Sequence, residues 1–321
     1  MEHRRLGKSE LNVSVIGLGT VPLGATSQAD AIAIVHKAID NGINLIDTAA
    51  IYGEGHSEEM VGEAVNGRRH QVIIATKCGV KLAGLGSSQK PKPLIHDLTP
   101  KSIRQELESS LKRIDTDVID LYQCHWPDPS TPIEETIGEM ARMKAEGKIR
   151  AIGVSNFDTA LLKKAQKVAQ IASNQVPYSL LNRDIENELI PFCLEQKIGI
   201  LVYGPIGGGI LTGKFKQKPE FDKSDTRNII YPYYAEPQWS QVQALLKEVE
   251  PIAARHDKPV SHVAINWVRQ QSGITSVLVG ARSPQQAEAN TAATSWQLSA
   301  EELASINKIS SQTLVTTKVQ L

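Results

Sequence analysis

What the sequence lacks first is electrical bias. Its 321 residues carry 35 Lys+Arg against 35 Asp+Glu, a formal net charge of zero. That balance excludes the basic footprint of a general nucleic-acid binder and makes a small molecule the expected partner. Long apolar runs are missing too: none approaches the ~20 residues a membrane helix needs. The opening MEHRRLGKSELNV is basic but has no apolar core of a secretion signal. The chain therefore reads as soluble and cytoplasmic, with no membrane partner. Cysteine is scarce. Cys78, Cys124 and Cys193 are scattered and form no CxxC pair. Such usage fits a reducing compartment, argues against a disulfide scaffold or a structural zinc, and leaves each cysteine as a small buried hydrophobe. There is no low-complexity segment and no exact repeat.

What is present is a recurring pattern. VSVIGLGT (13–20) reads as a buried strand entering a Gly-rich loop, followed by a helix capped by Ser27 with Asp30 and carrying Ile32, Val35 and Ile39 on one face. INLID precedes a helix opened by Ser57. VIIATK precedes one capped by Thr99, with Pro100 at its first position and Ile103, Leu107, Leu111 and Ile114 on its stripe. VIDLYQCH precedes a capping box of Thr131 and Glu134, and IRAIGVSN a helix beginning near Asp158; ASNQV, GILVY and SVLVG continue the alternation. These strands are apolar nearly throughout, which means a parallel sheet covered on both faces. About eight such units without a compositional break favour one closed (β/α)8 TIM barrel over 1–321, an α/β fold, rather than two domains. SAEELASINKI, with a Ser299 and Glu302 capping box, reads as an added C-terminal helix. Two long connections, 83–97 and 215–239, follow strands and are candidate lids; the second holds Tyr231, Tyr233, Tyr234 and Trp239.

The strand ends carry the chemistry. Apolar runs stop at Asp47, Lys77, His125, Ser155 with Asn156, Gln175 and Tyr203, so one rim of a barrel would collect acid, base, hydroxyl and amide groups. A buried rim of that kind is costly unless its members pair. Tyr52 follows Asp47 in the loop DTAAIYGEG. A free tyrosine titrates near ~10 and is a poor acid, and a lysine ammonium within reach should lower that value. Asp47 would hold Lys77, and His125 would hydrogen-bond and orient an incoming carbonyl.

DTAAIYG with GHSEEMVG, IIATKCG, DLYQCHWPDP with TPIEET, GKIRAIGVSNF, YGPIGGGILTGK and VGARSPQQAEAN, in that order along almost the whole chain, resemble the aldo-keto reductase superfamily. The resemblance implies a barrel, with additional C-terminal helices, that reduces aldehydes or ketones with NADPH and uses no metal. It implies Asp47, Tyr52, Lys77 and His125 as the catalytic group, with Tyr52 as the acid. It also implies cofactor contacts from Gly19, Thr20, Ser155, Asn156, Gln175 and Tyr203, and from the turn Gly204, Pro205, Ile206, Gly207, Gly208 and Gly209. Lys214, Arg227, Gly280, Arg282, Gln286 and Asn290 complete that set. Arg282 before the Ser283 and Gln286 capping box would meet a phosphate with both a guanidinium and a helix N-terminus, hence an expected preference for NADPH. The substrate would meet Val21, Tyr52, His125 and Trp126. Val21 stands where many relatives have a tryptophan, and Ala289 where many have a glutamate. The partner expected is a small carbonyl substrate; a homo-oligomer is compatible with the sequence. Potassium-channel β subunits resemble the chain at the same positions, so a cofactor-binding regulatory protein is the alternative.

Other motifs mislead. GLGTVP lacks the third glycine of a dinucleotide fingerprint, and GGILTGKF ends in Phe215 where a phosphate loop needs Ser or Thr. His56 near Glu58 and Glu59 lacks a third ligand at metal spacing; the glutamates read as first-turn carboxylates of a helix.

Overall fold

Each of the apolar runs that the sequence marks as a strand forms one. The computed structural model describes residues 1–82, 93–222, 225, 227 and 231–313. An antiparallel pair, β1 (His3–Arg5) and β2 (Asn12–Ser14), comes first, followed by β3 (Ile16–Gly19), β4 (Leu45–Asp47) and β5 (Ile73–Cys78). A second antiparallel pair, β6 (Val80–Leu82) and β7 (Leu94–His96), interrupts the series before β8 (Ile119–Cys124), β9 (Ile149–Ser155), β10 (Ile171–Pro177), β11 (Gly199–Tyr203) and β12 (Ile274–Gly280). Eight parallel strands close into a barrel in the order β3, β4, β5, β8, β9, β10, β11, β12 and back to β3. This is the (β/α)8 TIM barrel.

The helices are α1 (Gln28–Asp40), α2 (His56–Val65), α3 (Pro100–Ile114), α4 (Ile133–Ala145), α5 (Thr159–Gln166), α6 (Leu189–Gln196), α7 (Gln238–Arg255), α8 (Val260–Gln270), α9 (Pro284–Ala292) and α10 (Ala300–Thr313). No described helix is long and apolar enough to cross a membrane. Their starts follow local chemistry unevenly. Ser27, Asp158 and Ser283 accept backbone N–H bonds from Asp30, Leu161 and Gln286 as expected of N-caps, and Ser299 and Glu302 form a reciprocal capping box. Thr99 is the N-cap residue of α3, with Pro100 at the first position as expected, but its side chain makes no cap bond, and Thr131 lies one residue before the N-cap Pro132 of α4. Their hydroxyls donate to Asp97 and Asp128 instead, because a nearby carboxylate is a stronger acceptor, and Asp128 also takes the backbone N–H groups of Leu98 and Ser130. On α1 the buried stripe is Ala31, Ile34, Val35, Ala38 and Ile39, so the face is turned from the expected one and Ile32 lies at its margin.

Period-two alternation sorts the strand residues. Leu45, Ala75, Leu121, Ala151, Leu201 and Leu278 point into the barrel and form an apolar floor. Two residues further along their strands, Leu45, Ala75 and Leu121 give way to Asp47, Lys77 and Gln123, so a polar layer sits directly on the apolar one. The floor is closed from below by Leu6, Leu11 and Val13 of the first hairpin; Val13 belongs to a run the sequence marks as buried, whereas Leu6 and Leu11 lie in the basic opening that gave no such sign. The larger core lies between strands and helices. All three cysteines are buried free thiols there, and burial pushes the Cys193 thiol up to about 12.

Candidate active site

The loop after β4 sets the position of Tyr52. A tight turn over Tyr52–Gly55 carries Gly53 at φ 62°, Glu54 at φ 55° and Gly55 at φ 103°. Gly53 is required twice over: its φ is left-handed, and a Cβ there would lie 2.4 Å from the carbonyl oxygen of Gly24. Helix α2 then starts at His56 behind Gly55, so Ser57 does not open it. The Ser57 hydroxyl meets Thr20 Oγ1 at 2.8 Å and Thr48 Oγ1 at 3.0 Å beneath the loop. Glu58 is fully buried, accepts from Thr76 Oγ1 at 2.6 Å and pairs with Arg113 at 2.6 Å. It stands in the first turn of α2 as expected, and there it is also a buried anchor between α2, β5 and α3. His56 bonds the carbonyl of Thr26 at 3.2 Å and lies 3.8 Å from Glu59.

Asp47, Lys77, Tyr52 and His125 do converge. Lys77, 1% exposed, donates to Asp47 Oδ1 at 2.5 Å, to the carbonyl of Thr48 at 3.0 Å and to the Tyr52 hydroxyl at 3.2 Å. The rings of Tyr52 and His125 meet edge-on with centroids 5.9 Å apart. The His125 backbone N–H is fixed to the Cys78 carbonyl at 2.9 Å, and among the described residues nothing pairs with its ring nitrogens.

The electrostatics depart from the sequence expectation at one point. Burial pushes the Tyr52 phenol up; Lys77 pulls it down as expected and Asp47 pushes it up again, and the net shift is upward. Lys77 alone does not win, because the same burial that brings it close also removes water from the phenolate. On Lys77 itself burial acts downward, but Asp47 and Tyr52 outweigh it and hold the ammonium charged. His125 is pushed well below the ordinary histidine value by burial and by Lys77, so its imidazole is neutral near pH 7. The site therefore offers a protonated phenol, a fixed cation beside it and a neutral imidazole facing it.

The amide partners of Asp47 are not evident from the sequence alone. Its Oδ2 accepts from Gln175 Nε2 at 2.7 Å and from Gln123 Nε2 at 3.2 Å. The available signal was an amide two places before His125 in an apolar strand, on the same face. Further around the rim, Ser155 Oγ donates to the Gln175 carbonyl at 2.8 Å, and Asn156, at φ 62°, donates to the His125 carbonyl at 3.1 Å and accepts from the Tyr203 hydroxyl at 3.0 Å. Gln175 Oε1 receives no donor among the described residues. An amide acceptor, the half-buried Tyr203 ring and neighbouring hydroxyls form a donor and acceptor set that fits a nicotinamide carboxamide.

Other expected cofactor residues serve the fold as well. Thr20 is fully buried, its hydroxyl on the Asp47 carbonyl at 3.0 Å. Gly207, Gly208 and Gly209 have positive φ, yet the room a Cβ at Gly208 would take is filled by the Tyr231 ring, 2.5 Å away. Arg227 is tied to Asp225 by an ion pair, which pushes the Asp225 carboxyl down to about 2, with Arg282 contributing. Arg227 is thus a cation already answered by a carboxylate. Gln286 Oε1 accepts the Arg282 backbone N–H at 2.8 Å, and Asn290 bonds the Gly280 carbonyl at 3.1 Å, so both brace the turn that presents Arg282. Lys214 and the Arg282 side chain are exposed, the latter just ahead of the α9 N-terminus. Val21 is 57% exposed and Trp126 half-buried on the same rim. Of the two candidate lids, 83–92 and parts of 223–230 lie outside the described residues. Tyr233, Tyr234 and Trp239 are buried, and the Tyr234 hydroxyl bonds the Gly208 carbonyl at 3.1 Å, so that end of the second is packed into the body.

A family model described as the Aldo/keto reductase family matches residues 15–311. The chain is 39% identical over 322 residues to "Aldo-keto reductase YhdN" of Bacillus subtilis (strain 168), covering 98% of this chain and 95% of that protein. To the "NADH-specific methylglyoxal reductase" of Escherichia coli (strain K12) it is 35% identical over 317 residues, covering 92% and 94%. Among solved structures, the glycerol dehydrogenase AKR11B4 from Gluconobacter oxydans superposes with a TM-score of 0.89 at 34% identity, covering 99% of this chain and 97% of that one.

Proposed function

The chain belongs to the aldo/keto reductase family, an oxidoreductase family that acts on small carbonyl compounds with a nicotinamide cofactor, and from that premise we propose that it reduces aldehydes or ketones with NADPH, Tyr52 giving the proton. The observation that carries the reading is the Lys77 ammonium bonded at once to Asp47 and to the Tyr52 hydroxyl.

The nicotinamide, when bound, supplies the hydride. Tyr52 protonates the carbonyl oxygen, leaving an alcohol and a phenolate. Lys77 stabilises the negative charge that grows on Tyr52 as the proton leaves, which is where a preorganised cation contributes most. Neutral His125 directs an N–H at the carbonyl oxygen and orients it before transfer. Gln175, Asn156, Ser155 and Tyr203 would hold the nicotinamide end, and Arg282 at the start of α9 the 2′-phosphate. Support for the phosphate is an exposed guanidinium beside a helix N-terminus that is braced by Gln286.

Tyr52→Phe should lower kcat by about 10²- to 10⁴-fold, the range general acid catalysis supplies, while NADPH affinity, read by fluorescence quenching, stays within about twofold of wild type because the phenol makes no cofactor contact in this mechanism. Wild-type turnover in that variant would remove Tyr52 from the chemistry. Cofactor choice has its own test, since one relative is named NADH-specific. The ratio of kcat/KM for NADPH over NADH should exceed about 10, the discrimination expected of one charged phosphate contact; equal values would refute the assignment of Arg282.

A further inference from the structure

We propose that Gln123 is a positioning residue of the proton-donating group: its amide holds the second oxygen of Asp47 so that the first stays on Lys77 beneath Tyr52. The inference rests on the reading of Tyr52 as proton donor.

Asp47 is 3% exposed, and its single ion pair through Oδ1 would leave the carboxylate free to turn about its last side-chain bond, where torsional preference is weak. Two amides prevent that. Gln175 and Gln123 both donate to Oδ2, at 2.7 and 3.2 Å. Gln123 is fully buried in a strand whose other residues are largely apolar, so it touches neither substrate nor cofactor and acts only through its neighbours. A buried amide is costly unless it is paired, and this one is paired to the catalytic carboxylate.

The barrel also makes room for it. Gly153 faces Gln123 from β9, and a Cβ there would lie 2.9 Å from Gln123 Cγ and 2.8 Å from Ser173 Oγ. Gln175 Nε2 reaches Gln123 Oε1 at 3.4 Å, so the two amides also locate each other. Gln175 stands among the residues that fit the nicotinamide carboxamide. With Gln123 on the same oxygen, Asp47 keeps one amide donor that is independent of the cofactor side.

The test compares Gln123→Met, similar in size but without a donor, with Gln123→Glu. For Gln123→Met, kcat should fall by roughly 10- to 100-fold, the cost of a small misplacement of a reacting group. KM for the carbonyl and the NADPH dissociation constant, measured by fluorescence quenching, should stay within about twofold, because uniform binding is untouched. In Gln123→Glu the introduced carboxyl faces Asp47 and is buried, so its pKa is raised. While protonated it donates to Asp47 and turnover approaches wild type; as pH rises through that pKa, turnover falls. That added ionisation is a signature a purely structural role would not produce. Gln123→Met with wild-type kcat, or Gln123→Glu with the wild-type pH profile, would overturn the proposal. Full activity of Tyr52→Phe would defeat the underlying reading instead, whereas an inactive Tyr52→Phe beside a fully active Gln123→Met would defeat this inference alone.

Discussion

At the scale of single residues, the site is a set of mutual pKa corrections. Tyr52 remains a phenol because burial outweighs Lys77, and His125 remains an imidazole because burial and Lys77 act in the same direction. The pH dependence follows. In the proposed mechanism Tyr52 must be protonated, so carbonyl reduction should be present below its pKa, which lies above the ordinary 10.0, and be lost as pH rises through it. Neutral His125 is lost only as pH falls through a pKa well below 6.5. The profile of kcat/KM at saturating NADPH should therefore be flat between the ordinary histidine and tyrosine values, and a half-maximal point near pH 7 would contradict this assignment. Asp47, Lys77 and His125 stood out in the sequence as candidates because each ends an apolar run, and Tyr52 because it lies in the loop just beyond Asp47. The direction of the Tyr52 shift was not, since it depends on how much water the fold removes.

Among the elements, strands were read more faithfully than helix starts. A strand buried on both faces needs an apolar run of sufficient length, and every run named from the sequence became a barrel strand. Helix caps depend on which acceptor is nearest in space. Thr99 and Thr131 were diverted by Asp97 and Asp128, and Ser57 was drawn into a hydroxyl cluster with Thr20 and Thr48. Glu58 shows the same limit: its place in the first turn of α2 was legible, but its pairing with Arg113, 55 residues away along the chain, was not. The turn after β4 lies between these cases. Its two glycines were visible, but the reason for Gly53, the backbone of Gly24 pressed against it, was not.

For the whole molecule, the barrel divides stability from chemistry along its axis. Leu6, fully buried, closes the floor with Leu11 and Val13, while Asp47, Tyr52, Lys77 and His125 gather at the opposite rim. Leu6→Ala should cost about 2–5 kcal/mol of unfolding free energy through the cavity it leaves, with kcat for carbonyl reduction unchanged; unaltered stability in a denaturant titration would show that the hairpin does not belong to the core. By itself the sequence determined the parallel barrel and its order of strands and helices, and offered Asp47, Tyr52, Lys77 and His125 as candidates, because apolar runs and the residues at or just beyond their ends are local in the chain. Only the tertiary structure decided that Gln123 shares Asp47 with Gln175, that Arg227 answers Asp225, that the first hairpin seals the floor and that burial outweighs Lys77 at Tyr52. Those outcomes are set by distances and solvent exclusion between segments far apart in sequence, which no local pattern encodes.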